Sequence, residues 1–395
     1  MKTARNVSIV SLIAFLIIVS MACGRQAPEL TDHRVVRNAD AEFEGLMVLY
    51  GDPHVHTNIS DGDESPDYAL RYAREVAGLD WVCLTDHSDI MLAESWVNED
   101  YYRSLPDKYS VDGQFSVLFG YEWTSPYYGH RNVYSADSNI PILSARYDID
   151  NDGIDELWNH LKSYDVITIP HHPLMPTSTK HWWEVKNPGV EVAVEFYSKW
   201  GNSLYMGVDR QVINADPLNG IYDALAIHGL RLGIWAGSDT HMSRPDCYQR
   251  ESRGDYKLEY PQPGITGVWA TANTREAIFE AMKNRHTYGM SGTKVMVEFS
   301  VDGNIMGSEY TSDTPPEIRL IVDSPVQISN ILINKIHGGA IEEFKSFDLE
   351  QEEFSVLVTD EIFVEDSAYF SVVTLENGDM AVTSPVWVDY VYTGD

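Results

Sequence analysis

Cysteine is scarce in this 395-residue chain, which carries three, Cys23, Cys83 and Cys247. Three cysteines cannot staple a fold that lacks its own core. Cys83 falls inside the apolar run Trp81-Val-Cys-Leu84, where a buried free thiol is expected, so no bridge to Cys247 is predicted. Cations are scarce too. Lys and Arg number 28 against 60 Asp and Glu, a net charge of -32. No Lys/Arg-rich run offsets that excess, so a nucleic acid is excluded as partner by charge repulsion. The acidity of the surface as a whole reads as solubility. Internal repeats and low-complexity segments are absent.

What is present is enough apolar material for a large core. Apolar residues make up 44% of the chain, which argues against global disorder and allows one large α/β domain plus a smaller one. The N-terminus reads as an export signal over residues 1–23. Lys2 and Arg5 precede an apolar stretch from Val7 to Ser20 that is too short to favour a spanning helix. Residues 24–44 are polar with little pattern and read as a tether.

From Gly45 onward, buried-strand runs alternate with helical patterns. Leu46–Tyr50, Trp81–Thr85, Phe115–Tyr121, Val166–Ile169, Val190–Tyr197 and Arg231–Ala236 read as strands. Tyr68–Val76, Ile154–Ser163 and Ile221–His228 read as helices. Such alternation predicts a parallel α/β sheet or barrel over residues 45–292. The last helix of that region is expected to open on a capping box formed by Asn273 and Glu276. Beyond residue 293, six short strand-like runs separated by turn signals such as Asp302-Gly303 and Asn377-Gly378 predict a β-sandwich over 293–395.

Metal-ligating side chains cluster where these strands end. They are His54-Val-His56, Asp61, Asp86-His87, Glu122, His171-His172 and Asp239-Thr-His241. On a strand, residues two apart point the same way, so His54 and His56 can grip one ion together. A lone His-x-His is as often structural. Five strand ends in one region that all carry ligand-type residues make a polynuclear metal site the better reading. Mixed imidazole and carboxylate ligands suit Zn, Mn or Fe, and the lack of cysteine in any cluster argues against a structural thiolate zinc site. Two or three such ions would activate water for hydrolysis. Asp86 is expected to orient His87 or to act as an acid–base group beside it. His130 is a candidate proton donor to a leaving oxygen, and Arg131 a candidate clamp for an anionic substrate group.

The motifs Gly51-Asp-Pro-His-Val-His-Thr57, Ser60-Asp61-Gly62, Leu84-Thr-Asp-His-Ser88, Ile169-Pro-His-His-Pro173 and Gly237-Ser-Asp-Thr-His241 resemble those of the PHP (polymerase and histidinol phosphatase) metallohydrolases. Tyr121-Glu-Trp-Thr124, Gly129-His-Arg-Asn-Val-Tyr134 and Ser384-Pro-Val-Trp-Val388 look like an exported, carbaryl hydrolase-like branch. The resemblance runs from about Gly45 to the C-terminus and implies a distorted (β/α)7 barrel with up to three metals. It implies that His54, His56, Glu122 and Asp239 hold the first metal. Glu122 would bridge to a second, held also by His172, with His171 beside it as a substrate contact. Asp61, His87 and His241 would hold the third. Trp200 stands where related sequences often have His, and Glu195 either substitutes as a ligand or braces a neighbouring one.

The expectation is a small-molecule hydrolase, by family default a phosphoesterase, with Asp239 or a nearby group handling protons. Carbamate or carboxylic ester hydrolysis is the alternative within the same fold, and a non-catalytic ligand-binding lipoprotein is the other. Met21-Ala-Cys23-Gly24 resembles a bacterial lipoprotein processing site, although Ser20 stands where that pattern prefers Leu. It implies an exported chain tethered by lipid at Cys23, that anchor being the one membrane contact. Ordinary signal cleavage and an uncleaved anchor are the alternatives.

Overall fold

The computed structural model describes residues 43–94, 97–145, 153–178, 182–184, 186–217, 219–248, 252–253, 256–257 and 262–392. The expected export signal, Cys23 and nearly all of the tether lie outside the described residues. Among the described residues, no helix is long and apolar enough to cross a membrane.

The first half is built on β1 (Met47–Val55), β2 (Trp81–Leu84), β3 (Ser116–Ser125), β4 (Gly129–Ser135) and β5 (Ile167–Pro170), hydrogen-bonded in that order. β1–β2 and β2–β3 run parallel, whereas β3–β4 and β4–β5 run antiparallel. A smaller sheet beside them contains β6 (Ala193–Ser198), β7 (Gly201–Asn202) and β8 (Gly233–Ala236), in the order β7-β6-β8. A two-stranded ribbon, β9 (Ser252–Arg253) with β10 (Tyr256–Lys257), follows. Then β11 (Ile265–Ala270) pairs antiparallel with β1, and β12 (Thr287–Met290) with β11. Every residue of β2, β5, β6 and β8 is buried, as expected of strands covered on both faces.

The expected strands are therefore present, but the expected closed (β/α)7 barrel is corrected to an open mixed α/β sheet. The ladder ends at β5 on one side. Single bridges, Thr168 with Glu191 and Val55 with Thr240, link the smaller sheet to its neighbours. The physical reason lies at β4. The tight return from Ser125 to Gly129 replaces a crossover helix by a hairpin, so β4 enters antiparallel.

The second half contains β13 (Met296–Val301), β14 (Asn304–Ile305), β15 (Glu309–Ser312), β16 (Glu317–His337), β17 (Ala340–Thr359), β18 (Ser367–Leu375), β19 (Met380–Thr383) and β20 (Val386–Tyr390). The runs Ile318–Val322 and Ile328–Ile333 belong to a single strand, β16, with register shifts between Asp323 and Ile328, around Pro325. Its first part pairs with β13 and its second with β18. The boundary expected at residue 293 falls within one continuous sheet, because β12 pairs with β19. Val297, Leu320, Ile331 and Val373 share one buried cluster with Val48 and Tyr288 of the first half.

Two local expectations shift. Thr274, not Asn273, caps the helix Arg275–Lys283, with its hydroxyl accepting from the Ala277 N–H at 3.2 Å. Asn273 turns inward instead and donates to the Asp80 carbonyl at 3.2 Å. Cys83 and Cys247 are both buried and are not joined in a disulfide.

Candidate metal centre

The site is assembled from the C-terminal ends of β1, β2, β3 and β5, the start of β4, and the loop after β8. Alternation along β1 puts Asp52, His54 and the following His56 on one face, and all three are buried. Gly237 makes room for them. A Cβ there would stand 2.5 Å from the His54 Cβ and 2.7 Å from Glu195 Oε2.

Glu122 is the hub. Its Oε2 lies 3.4 Å from His54 Nε2 and 3.3 Å from His56 Nε2. Its Oε1 lies 3.3 Å from His87 Nδ1, 3.1 Å from His130 Nδ1 and 3.5 Å from His171 Nε2. Asp239 Oδ1 approaches His56 Nε2 at 3.3 Å and His54 Nε2 at 3.6 Å. Asp61 Oδ2 lies 3.2 Å from His241 Nε2, and its Oδ1 is 3.7 Å from both His56 Nδ1 and His87 Nε2. Asp239, at φ 53°, and His172, next to His171, at φ 37°, sit in left-handed backbone. Such conformations cost about 1–3 kcal/mol each in non-glycine residues and concentrate at functional sites.

Among the described residues, four groups of side chains each place candidate ligand atoms within 4.8 Å of one another: His54 with His56 and Asp239, His54 with Glu122 and His171, His130 with His171 and His172, and His56 with Asp61, His87 and His241. The donor set fits divalent cations on a second count. His56 Nδ1, both ring nitrogens of His171, and His172 Nδ1 are buried without a hydrogen-bond partner. Orphaned polar atoms at that density are destabilising unless something binds them.

The electrostatics point the same way. Burial would push His54 and His56 down, but Asp239, Glu122 and, for His54, Glu195 outweigh it. They hold His54 well above its ordinary value and His56 at about 9. Burial alone would raise the carboxyls of Glu122 and Asp239, yet the surrounding imidazoles hold both well below the usual range. Burial with few compensating charges drops His171 to about 3 and pushes Glu195 up to about 7.

The remaining expected residues fall into place around this centre. Glu195 Oε2 takes a hydrogen bond from His54 Nδ1 at 2.9 Å, the bracing position, which leaves His54 Nε2 facing the cluster. Asp86 does not face the cluster with a spare oxygen. Its carboxylate accepts from the Thr57 N–H at 2.7 Å, the Thr57 hydroxyl at 2.8 Å and the Ser60 hydroxyl at 2.7 Å. It clamps the loop between His56 and Asp61. His87 is oriented by Thr124, whose hydroxyl lies 2.8 Å from its Nδ1.

The anion clamp expected at Arg131 is corrected. In the β3–β4 register Arg131 pairs with Trp123, whereas Glu122 pairs with Asn132 and Thr124 with His130, so Arg131 points to the opposite face. Its buried guanidinium binds Glu191 and the Tyr128 carbonyl. His130 does face the cluster, in one group with His171 and His172. Trp200 donates its indole N–H to Asp239 Oδ2 at 2.6 Å. Lys199, absent from the expected set, is buried against His241 Nδ1. Nothing in its local sequence marks it, because a strand-end lysine is ordinarily a solvated surface residue.

The comparisons with known proteins are distant. Residues 227–318, which include the Asp239-Thr-His241 corner, match a family described as a protein of unknown function (DUF3604). An uncharacterized protein of Chlamydia pneumoniae is 22% identical over 378 residues, covering 87% of this chain and 57% of its own. An uncharacterized protein of Chlamydia trachomatis serovar D is 25% identical over 264 residues, covering 60% of this chain and 40% of its own. The chain thus spans about half the length of the curated relatives it matches. Among solved structures it is similar to a two-domain protein from Bacteroides vulgatus containing a predicted PHP-like metal-dependent phosphoesterase. That likeness has a TM-score of 0.47 and 18% identity, over 90% of this chain and 98% of the other. It is also similar to a lesion-specific endonuclease from Pyrococcus furiosus, with a TM-score of 0.36 and 15% identity over 60% of this chain and 56% of that one.

Proposed function

We propose that this chain is a metal-dependent hydrolase of the PHP type acting on phosphate esters. The observation that carries the proposal is the hub at Glu122, which gathers imidazoles from β1, β2, β4 and β5 within 3.5 Å of one carboxylate. A purely structural carboxylate does not need that company. On this reading the first position is held by His54, His56 and Asp239, with Glu122 shared. The second is held by Glu122, His171, His172 and His130, and the third by Asp61, His87 and His241. His130 then serves as a ligand, not as the proton donor first expected.

Divalent cations bound there would lower the pKa of coordinated water and stabilise negative charge developing on the substrate. The chain's own contributions are positional. Glu195 fixes the His54 ring, as a partner on the far nitrogen of a metal-binding imidazole does. Trp200 engages Asp239 Oδ2 and leaves Oδ1 facing His54 and His56. Asp86 holds the Thr57–Ser60 turn so that Asp61 reaches His241.

The test is metal content together with turnover. Purified protein should carry at least one transition metal per chain by mass spectrometry and hydrolyse p-nitrophenyl phosphate. Protein that holds less than one metal after incubation with Mn²⁺ or Zn²⁺ would sink the proposal. Turnover of naphthyl acetate without p-nitrophenyl phosphate would redirect it to carboxylic ester hydrolysis.

A further inference from the structure

The indole of Trp200 is far larger than the one hydrogen bond it gives to Asp239 requires. Trp200 lies in the two-residue turn between β6 and β7, which is closed by the pairing of Ser198 with Gly201. That turn is held on several sides. The Lys199 backbone N–H donates to the Ser238 carbonyl at 3.2 Å, and the Trp200 backbone N–H to the Ser198 hydroxyl at 3.3 Å. Gly201 sits at φ 114°, where a Cβ would come within 2.6 Å of the Arg210 carbonyl oxygen. Only glycine suits that position, so the direction in which the turn presents Trp200 is fixed.

The ring is anchored at the candidate ligands. Its N–H donates to Asp239 Oδ2 at 2.6 Å, which pins one edge of the indole beside the cluster. The Lys199 ammonium lies 4.8 Å over the ring and against His241 Nδ1, which places the indole next to His241 as well. His241 belongs to the side on which the cluster meets solvent. Its side chain is 11% exposed, and that of Asp61, 3.2 Å away, is 33% exposed. Trp200 itself is half-buried. An indole nitrogen is a donor only and takes no cation. What Trp200 adds at the mouth of the centre is therefore a rigidly held aromatic surface.

We propose that Trp200 is the wall against which the organic part of the substrate lies, and that this part is a planar aromatic ring on the ester oxygen. The inference rests on the phosphate-ester reading and deepens it by naming the leaving group. A phosphate ester seated at the cluster projects its organic group toward solvent, and beside Asp239 and His241 that group meets the indole. An aromatic ring there gains stacked or edge-to-face contact beyond what its area alone supplies, whereas a methyl or glycerol-like group gains little. On hydrolysis the bond between phosphorus and the ester oxygen breaks. The phosphoryl group keeps the oxygen of water, and the ring leaves as a phenol that has taken up a proton.

The probes are phenylphosphonate and methylphosphonate, which keep the charge of a phosphate ester and have no ester oxygen to lose. Each is titrated calorimetrically into metal-loaded protein, with metal content measured on the same samples. Wild-type protein should bind phenylphosphonate about threefold to tenfold more tightly than methylphosphonate. Trp200→Leu should abolish that preference, and Trp200→Phe should keep most of it. The preference is the readout, because loss of the indole N–H also loosens Asp239 and a merely structural role would weaken both probes alike. Equal affinities in wild-type protein overturn the proposal, and so does a preference that survives Trp200→Leu. If Trp200→Leu fails to fold or to hold metal, fluorescence with p-nitrophenylphosphonate decides, since a nitroaromatic ring quenches a tryptophan that it touches. The saturating probe should quench wild-type emission much more than that of Trp200→Phe, and equal fractional quenching overturns the proposal. Wild-type protein that holds metal but binds neither phosphonate refutes the phosphate-ester reading beneath it. Wild-type protein that holds no metal refutes the metal centre itself.

Discussion

Two buried lysines, one in each half of the molecule, have opposite surroundings. Lys335, on β16, donates to Asp360 Oδ2 at 2.5 Å and to the Ile362 carbonyl at 3.0 Å, and Tyr369 donates to the same carboxylate at 2.6 Å. That is a closed arrangement of cation, carboxylate, phenol and carbonyl, and it pins the segment after β17 to the sheet. Lys199 instead lies against the His241 imidazole, in a centre where nitrogens of His56, His171 and His172 have no hydrogen-bond partner. One half uses its buried charge to finish the fold. The other gathers imidazole nitrogens without hydrogen-bond partners, on His56, His171 and His172, and left-handed backbone at His172 and Asp239 in one place. Strained backbone and unsatisfied polar atoms of this kind concentrate at functional sites.

The contrast can be broken most severely at the ligands. Asp239→Ala and His54→Ala each remove a residue around which the groups are built. Each should cut hydrolysis at least about a thousandfold, roughly 4 kcal/mol of barrier, with bound metal reduced and the circular dichroism unchanged. Wild-type turnover in both variants would mean that the centre has been misplaced. In the other half, Lys335→Met leaves Asp360 buried without its cation and should destabilise the fold by about 3–5 kcal/mol in denaturant titrations. Bound metal should stay at the wild-type level, and if the metal is lost in step with stability, the two halves do not differ as argued.

A pH titration sharpens the comparison further. The neighbouring carboxylates hold His56 up at about 9 after overcoming the opposite effect of burial. A cation must displace that proton. Apparent metal affinity should therefore fall as the pH drops from 9 toward 7, by up to about tenfold per unit for each proton displaced. A flat profile from competition with a metal-sensing dye would contradict it.

Smaller effects lie one layer out. Glu195→Gln keeps the shape but weakens the brace on His54 Nδ1, and should lower metal affinity about 10–100-fold by chelator competition. An unchanged value would return Glu195 to a packing role. Trp200→Phe removes the indole N–H from Asp239 Oδ2 and should cost about 1.5 kcal/mol of metal binding, the low end for a hydrogen bond to a charged group. A larger loss would mean that the ring also holds Lys199 in place.

Much of this was legible along the chain. The candidate ligand residues sat where apolar runs stop, and those runs became strands: Trp81–Thr85 became β2 and Val166–Ile169 became β5. Local sequence encodes that because side-chain burial and backbone pairing act over a few residues. The antiparallel entry of β4 was not legible. Gly129–Ser135 carries no apolar run, with His130, Arg131 and Asn132 in a row. Its strand is formed by pairing with β3 and β5, a long-range effect. The face on which a residue lies then follows from register, and a shift of one residue would have exchanged His130 for Arg131 at the site. The expected cap at Asn273 failed for a similar reason, since Ser116 and Asp80, distant in sequence, offered its amide better partners.

Residue type and spacing alone decided that this chain carries imidazoles and carboxylates at the ends of its apolar runs, with no cysteine in any of those clusters. Composition and short-range order are properties of the covalent chain. Tertiary structure decided that Glu122 is the hub, that His130 faces inward, that Asp86 and Glu195 brace and Arg131 turns away, and that Lys199 lies beside His241. Those facts depend on which strands meet and in what register, and no window of sequence contains both partners.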